Sequence, residues 1–493
     1  MPKLVLLWTD VAIWLLLAFV AVYAVTVVRR PELARNWAKV FHSAPALASA
    51  MVLALCLWVT LLDSVHFRSR LPSAPPGANE VVHAVAYDTR TKSLLDVALG
   101  DLVATREATY SRPLSYLGFT KESLLINAEV RRVAPRLQFG GAHLTQPESQ
   151  WLSDVLERAA FGAVGGVLVA MLLTALLLAG VARLGQRSLA EVWRQVRAPG
   201  QRAPGQVPSR VPWHVAVITL WVICLLAGPG AALSGPYHLL GTDLTGNDVL
   251  YQSLKSIRTA FVIGTLATVA TLPLAVGLGI LAGYFRGWVD EAIQYFYTVL
   301  SSVPNVLLIA ACVLMVQVFL DKNPDLFETG AERADLKLFL LCAVLGLTGW
   351  AGLCRLLRAE TLKLRESEYV QAAQAFGISD TRIMVRHIFP NVAHLMLIVT
   401  VLDFSALILY EAVLSYVGVG VDPSMNSFGG MINLARNEMS RDPLVWWSFA
   451  AAFGFMVSLV LAANLFADGV RDAFDPRFRV AKVRKIRRKI VNR

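Results

Sequence analysis

The sequence predicts an all-α polytopic membrane protein of about nine transmembrane helices, with a small external α+β segment. Composition is the first reason: 56% of the 493 residues are hydrophobic and only 16% charged, where a soluble globule carries roughly 25% charged residues. The second is length, because apolar runs of about 20 residues, enough to cross a bilayer core as a helix, recur along the chain. The third is where the charge sits. The net +11 gathers beside those runs, with ten Lys/Arg after Ala467, which is the positive-inside bias of a membrane protein. Acidic phospholipid is the partner such a tail suits, and no nucleic acid is expected.

In chain order the spans fall at about Leu4–Val28, Ala44–Leu62, Ala159–Ala182, Trp213–Leu233, Thr259–Tyr284, Ala292–Leu320, Leu336–Leu356, Val392–Val417 and Leu444–Ala467. The first is too long for a signal peptide, and its basic pair, Arg29–Arg30, follows it instead of preceding it. Residues 1–62 thus hold two spans, 63–158 an external polar segment and 159–184 a third span. A linker rich in Gln, Arg, Pro and Gly (185–212) reads as an extended connector, 213–467 carry six further spans, and 468–493 form a basic tail. Arg29, Arg30, Arg35 and Lys39, the arginines from Arg183 to Arg210, and the tail all mark cytoplasmic connections, whereas the acid-rich Asp321–Asp335 belongs outside. Nine spans reconcile these marks, with the N-terminus outside and the C-terminus in the cytoplasm.

In the external segment, Val81–Tyr87 reads as a short strand and Ser123–Val133 as helical. The run Thr145–Glu148 (TQPE) is a capping box with Pro in the first turn, so a helix starts there and enters the third span. His83 and His143 stand alone, and the five cysteines lie in or beside apolar runs without CxxC spacing, which predicts no disulfide framework and no metal site.

The stretch Glu368–Pro390 is a water-facing island between two apolar runs. Tyr369, Ala372, Ala373 and Phe376 share one face of a first short helix, and Gly377 can take the left-handed conformation that ends it. Ser379 or Asp380 can cap a second helix in which Ile383, Met384, His387 and Ile388 share a side, and Pro390 opens the next span. Tethered at both ends, such an elbow can move two spans together. Asp403 and Glu411 are the clearest charges inside an apolar run and are candidates for lining a path. No GxxxxGK[ST] phosphate loop and no HExxH set occurs, so the chain is expected neither to bind ATP itself nor to be an enzyme.

Several motifs in the second half resemble one family. Ala372, Ala373, Gly377 and Pro390 match the EAA loop of ABC-importer permeases, with Gln371 where that loop usually has Glu. Gly241, Thr242, Asp243, Gly246, Asp248 and Val249 match the GTDxxGRDV signature of the C-type permease subunit of dipeptide and oligopeptide importers, with Asn247 in place of Arg. Further matches are GLGILAGYFRGWVDEAIQ, with a Gly279/Gly283 GxxxG face and with Asp290 and Glu291 near a helix start; the segment Leu414–Gly429, through Gly418, Gly420 and Pro423; and NLFADGVRDAFDPRFR from Asn464 to Arg479. Together they cover about Tyr237 to Arg479, so 213–467 is expected to be the permease domain and the first three spans an addition.

The resemblance implies a homologous permease, two ATPases that bind the ATP, and an external solute-binding protein as partners in a bacterial inner membrane. It also implies a coupling loop (366–390) in which Tyr369, Val370, Gln371, Ala372, Ala373, Phe376, Gly377, Ile378, Asp380 and Arg382 meet the ATPase. A proton-coupled peptide carrier acting alone is the alternative that two intramembrane acids leave open.

Overall fold

The computed structural model describes residues 3–70, 87–126, 129–185, 188–197 and 211–474. Strand β1 (Lys3–Val5) leads into α1 (Trp8–Arg29), α2 (Pro31–Val40) and α3 (Ala44–Asp63). The polar segment then holds β2 (His66–Arg68), β3 (Lys92–Ser93), α4 (Leu94–Ala98), α5 (Gly100–Ala104), β4 (Glu122–Ile126) and β5 (Glu129–Val133). Next come α6 (Pro147–Gly185), α7 (Leu189–Arg197), α8 (Trp213–Ser234), α9 (Val249–Phe285), α10 (Gly287–Ser302) and α11 (Asn305–Lys322). The chain continues as α12 (Gly330–Gly349), α13 (Ala351–Arg365), α14 (Glu368–Ala375), α15 (Asp380–Ile383), α16 (Phe389–Val417), α17 (Phe428–Glu438) and α18 (Trp447–Phe474). Among the described residues eight helices are long and apolar enough to cross a membrane, and α12 with α13, bent by 41° at their junction, makes a ninth candidate.

Several expectations need correcting. The span expected at Ala292–Leu320 is two helices, because Val303, preceding Pro304, is held extended (φ −88°, ψ 134°) and breaks the run. The run Ser123–Val133 is not helical: β4 and β5 pair antiparallel, with Glu122 opposite Val133 and Ile126 opposite Glu129, and the cross-strand ladder overrides local helix propensity. The helix after TQPE does begin at Pro147, but its cap differs, since Gln150 Oε1 accepts from the Gln146 amide at 3.1 Å and from Thr145 Oγ1 at 3.2 Å. The linker expected to be extended contains α7. The strand expected at Val81–Tyr87 lies, but for Tyr87, outside the described residues, as do His83 and most of the basic tail.

The chain divides into two compact units, one of Met1–Val5, Phe41–Thr259 and Asn426–Ala462, the other of Leu6–Val40, Ala260–Met425 and Ala463–Arg493. In the first, β1, β2 and β3 form an antiparallel sheet, and α6 packs along α8 through glycine. A methyl group on Gly162 would sit 2.6 Å from the Gly228 carbonyl oxygen, and one on Gly166 would sit 2.5 Å from that of Cys224, so the two backbones touch directly. Lys255 sits between Asp63 (3.2 Å) and Asp96 (2.8 Å), joining α3, α4 and α9.

In the second unit, Gly279 and Gly283 form the close-approach face expected of them. A methyl group there would lie 2.9 Å from the Cys354 carbonyl oxygen and 2.7 Å from that of Arg358, which sets α13 against α9. Ala275, Ile280, Leu357, Val370, Ile383, Ile388 and Val392 are buried in the core around this contact. The amide of Thr9, in the first turn of α1, donates to Asp335 Oδ2 at 2.9 Å, so the carboxylate of α12 satisfies an orphan donor at the start of the added span.

Replacing Gly162 by Leu is expected to destabilise the chain by about 1–3 kcal/mol, the usual cost of overpacking. Gly165→Leu, where nothing lies within 4 Å, should leave the thermal unfolding midpoint of the detergent-solubilised protein unchanged.

Candidate functional site

The elbow is built as two helices joined by a left-handed residue. Helix α14 ends in a Schellman motif: Gly377 (φ +74°) donates to the Gln374 carbonyl at 2.9 Å and Ile378 to that of Ala373 at 3.1 Å. The face expected to be shared divides. Val370 and Ala373 turn inward and are buried, while Tyr369, Ala372 and Phe376 stand in solvent, Phe376 at 86% exposure. An eight-residue helix has room to bury only one side, and Val370 and Ala373 lie on the side that meets α13 and α15. Gln371, Gly377, Asp380 and Arg382 are exposed, and Ile378 is half-buried.

The second helix departs from expectation as well. Ser379 occupies its N-cap without a side-chain bond, and Asp380 instead accepts from the Tyr284 hydroxyl at 2.6 Å. Gln374 donates to that same hydroxyl at 3.1 Å, so α14, α15 and the end of α9 meet on one oxygen. Pro390 does not open a separate span. The helix runs on from Asp380 to Val417 through a wide π turn at Met384–Ile388, which widens where a proline ring would crowd the preceding turn. Nearby, Arg358 grips Asp290 with Nε at 2.5 Å and Nη2 at 2.6 Å, fixing α10 on α13. This bidentate bond holds the Asp290 carboxyl below the ordinary aspartate range.

Asp403 and Glu411 are in different surroundings. Glu411 is buried and accepts from Ser415 at 2.6 Å within the same helix. Asp403 is half-buried, and among the described residues its carboxylate meets no hydrogen-bond or ion-pair partner. Gly418 (φ +89°) ends α16, the Ser415 hydroxyl crowds Gly420 too closely for any side chain, and Pro423 is exposed.

The glycine-rich loop between α8 and α9 is a socket for the polar segment that lies between α3 and α6. Asp248 caps α9, its Oδ1 accepting from the amides of Leu250 (2.8 Å) and Tyr251 (3.1 Å), and its Oδ2 lies 2.8 Å from His238 Nδ1. On the other side of the ring, Glu107 Oε1 lies 3.4 Å from His238 Nε2 at ion-pair rather than hydrogen-bond geometry. Glu107 also accepts from the amides of Gln138 (2.9 Å), Phe139 (2.8 Å) and Gly140 (3.0 Å). All three side chains of this row are at most 3% exposed. Thr242 Oγ1 accepts from the Ser111 amide at 2.6 Å, and Trp447 Nε1 donates to the Thr242 carbonyl at 2.9 Å. Gly241 and Gly246 take positive φ (+74° and +76°) and lie against the backbone at Ser111 and Glu107, so neither admits a side chain. Asp243 folds the loop on itself, accepting from the amides of Thr245 (2.8 Å) and Asn247 (2.9 Å). Glu107 and Ser111 carry no signal in the sequence, because their partners lie far outside any local pattern, 31 to 33 residues away for the amides that Glu107 accepts from and 131 for Ser111 and Thr242; His238, just before the glycine-rich signature, carries none either.

Comparisons with known proteins find relatives for the second part of the chain. Residues 275–480 match the family described as Binding-protein-dependent transport system inner membrane component. The oligopeptide transport system permease protein OppC of Mycobacterium tuberculosis is 33% identical over 242 residues, 49% of this chain and 77% of that protein. The peptidoglycan transport system permease protein YejE of Agrobacterium fabrum is 34% identical over 304 residues (58% and 71%), and the glutathione transport system permease protein GsiD of Pectobacterium atrosepticum 31% over 252 (51% and 75%). A solved structure of the MetNI methionine ABC transporter aligns at 16% identity with a TM-score of 0.32, covering 46% of this chain and 94% of that one.

The chain belongs to the binding-protein-dependent permease family: it is a multi-pass inner-membrane component of an ABC importer, and not itself an enzyme. Within that family its C-terminal half is of the OppC type, and the N-terminal spans are an extension to it.

Burial opposes charge on His238, yet Asp248 and Glu107 outweigh it and raise the imidazole from 6.5 to about 9. Burial likewise opposes charge on Glu107, but the neighbouring His238 and the three amide donors hold it at about 2. The raised His238 pKa stabilises the closed socket fully below pH 6.5, and this is lost as pH rises through about 9. The shift corresponds to about 3 kcal/mol. Protease cleavage of the polar segment between α3 and α6 should therefore accelerate as pH rises from 6.5 to 9 in the detergent-solubilised chain, and His238→Gln should abolish that pH dependence.

Proposed function

We propose that this chain forms half of the translocation path of an importer for peptides or a related small solute, and takes its driving force from a separate ATPase through the elbow. The observation that carries this reading is the outward stripe of Tyr369, Ala372 and Phe376 on a helix bonded to its own scaffold. A phenylalanine 86% exposed at the end of a fixed helix is a projecting apolar surface that suits insertion into a partner. The exposed Gln371, Gly377, Asp380 and Arg382 belong to that contact, while Val370 and Ala373 hold the helix from behind. The names of the relatives (oligopeptide, glutathione, peptidoglycan) support the peptide class. A homologous permease, two ATPases and an external solute-binding protein complete the assembly, and the elbow and C-terminus face the cytoplasm. The external loop residues Gly241, Thr242, Asp243, Gly246 and Asp248 act by seating the external segment, and Gly418, Gly420 and Pro423 shape the turn after α16. Of the two intramembrane acids, Asp403, half-exposed and without a polar partner among the described residues, is the one that fits a path, since Glu411 is sealed against Ser415.

In this mechanism the ATPases close on nucleotide, displace α14, and favour one orientation of the spans over the other. Gly377→Val puts a β-branched residue at a left-handed position, costing about 1–2 kcal/mol, and should abolish ATP-driven uptake in the reconstituted importer while insertion continues. Gly377→Asn, which tolerates that conformation, should retain uptake; loss in both or in neither counts against the elbow. A cysteine at Ala372 should react with an impermeant thiol reagent only from the cytoplasmic side. Asp403→Asn should lower uptake about tenfold or more while nucleotide-driven movement of the elbow continues, and undiminished uptake would remove Asp403 from the path.

A further inference from the structure

Helix α7 lies within the linker, and one of its edges is left uncovered by the described residues. Ser188 and Glu191 close its N-terminus as a capping box, each side chain meeting the other's amide at 3.3 Å. Val192 and Val196 then pack on Leu178, Val181 and Ala182 of α6, and α7 also touches α8. The helix is thereby pinned beside the ends of two candidate membrane spans. Its remaining apolar side chains do not join that contact: Leu189 is 58% exposed and Trp193 48%. Tryptophan at the margin of a bilayer is favoured because its ring is apolar and its N–H polar.

Charge selects the occupant. Arg183, at the end of α6, and Arg197, at the end of α7, are both exposed. Residues 183–210 contain six arginines against a single acid, Glu191, and that acid is engaged in the cap. We propose that α7 lies in the headgroup layer with Leu189 and Trp193 in the acyl boundary, and that Arg183 and Arg197 bind anionic phospholipid there. The observations match the composition of interfacial helices: an apolar edge, an aromatic anchor and flanking cations. The binding is independent of the peptide reading and of the elbow, and needs only that α6 and α8 cross the bilayer.

The test uses the full chain in a Cys312→Ala background, with an environment-sensitive fluorophore on Leu189→Cys, reconstituted into phosphatidylcholine vesicles with or without phosphatidylglycerol. Quenchers are a phospholipid spin-labelled near its headgroup and aqueous iodide. With phosphatidylglycerol present, the lipid quencher should dominate; raising the salt, or Arg183→Gln with Arg197→Gln, should shift quenching towards iodide. Binding of anionic lipid should weaken by about fivefold for each arginine removed. Equal lipid quenching in both vesicle types would overturn the anionic-lipid assignment, and quenching by iodide alone would overturn the interfacial placement. Protection from both quenchers on adding ATPase subunits would make α7 a protein dock, and the proposal would be wrong.

Discussion

Close backbone contact between α9 and α13 is the constraint on which the rest of the permease half depends. Helices in lipid gain little from burying leucine, because the surrounding tails are equally apolar; they associate where small residues let backbones meet. Gly279 and Gly283 supply that meeting, with the Cys354 and Arg358 carbonyls lying against them. The same contact fixes Arg358 where it can hold Asp290, and brings the Tyr284 hydroxyl within reach of Asp380 and Gln374. The elbow is therefore not a loose loop between spans. It is fastened by polar bonds to a helix that is itself seated by shape.

The added N-terminal part is joined to α8 and the loop after it by a different chemistry. Where α6 meets α8 the union is again glycine on backbone, but outside the spans it is a sealed row of charges, Glu107, His238 and Asp248, with Thr242 and Ser111 beside it. A motif that reads as a turned loop in the sequence is, in this chain, occupied by its own extension. Gly241 and Gly246 are needed both for their positive φ and because Ser111 and Glu107 leave no volume for a side chain.

Much of this was legible beforehand, and what was not has physical reasons. Hydropathy located the spans because the bilayer imposes length and composition locally. The left-handed Gly377 and the Gly279/Gly283 face were readable, being properties of one residue type at one spacing. Which side of α14 turns inward was not, since Tyr369, Ala372, Ala373 and Phe376 are all apolar or small and only the position of α13 decides between them. The break at Val303–Pro304 could have been read from the proline alone, but a long apolar run masked it. The hairpin of β4 and β5 arises from pairing between strands, and the contacts of Glu107 from side-chain bonds to residues far along the chain, to neither of which a single-stretch pattern is sensitive.

The wide turn at Met384–Ile388 has a mechanical consequence. A π turn holds more residues per revolution than an α turn, so its carbonyls and amides can exchange partners without leaving the helix. With Pro390 unable to donate one turn later, the ladder there is already one bond short. A displacement of Asp380–Ile383 would therefore be taken up at Met384–Ile388 before it reached the longer apolar stretch that follows.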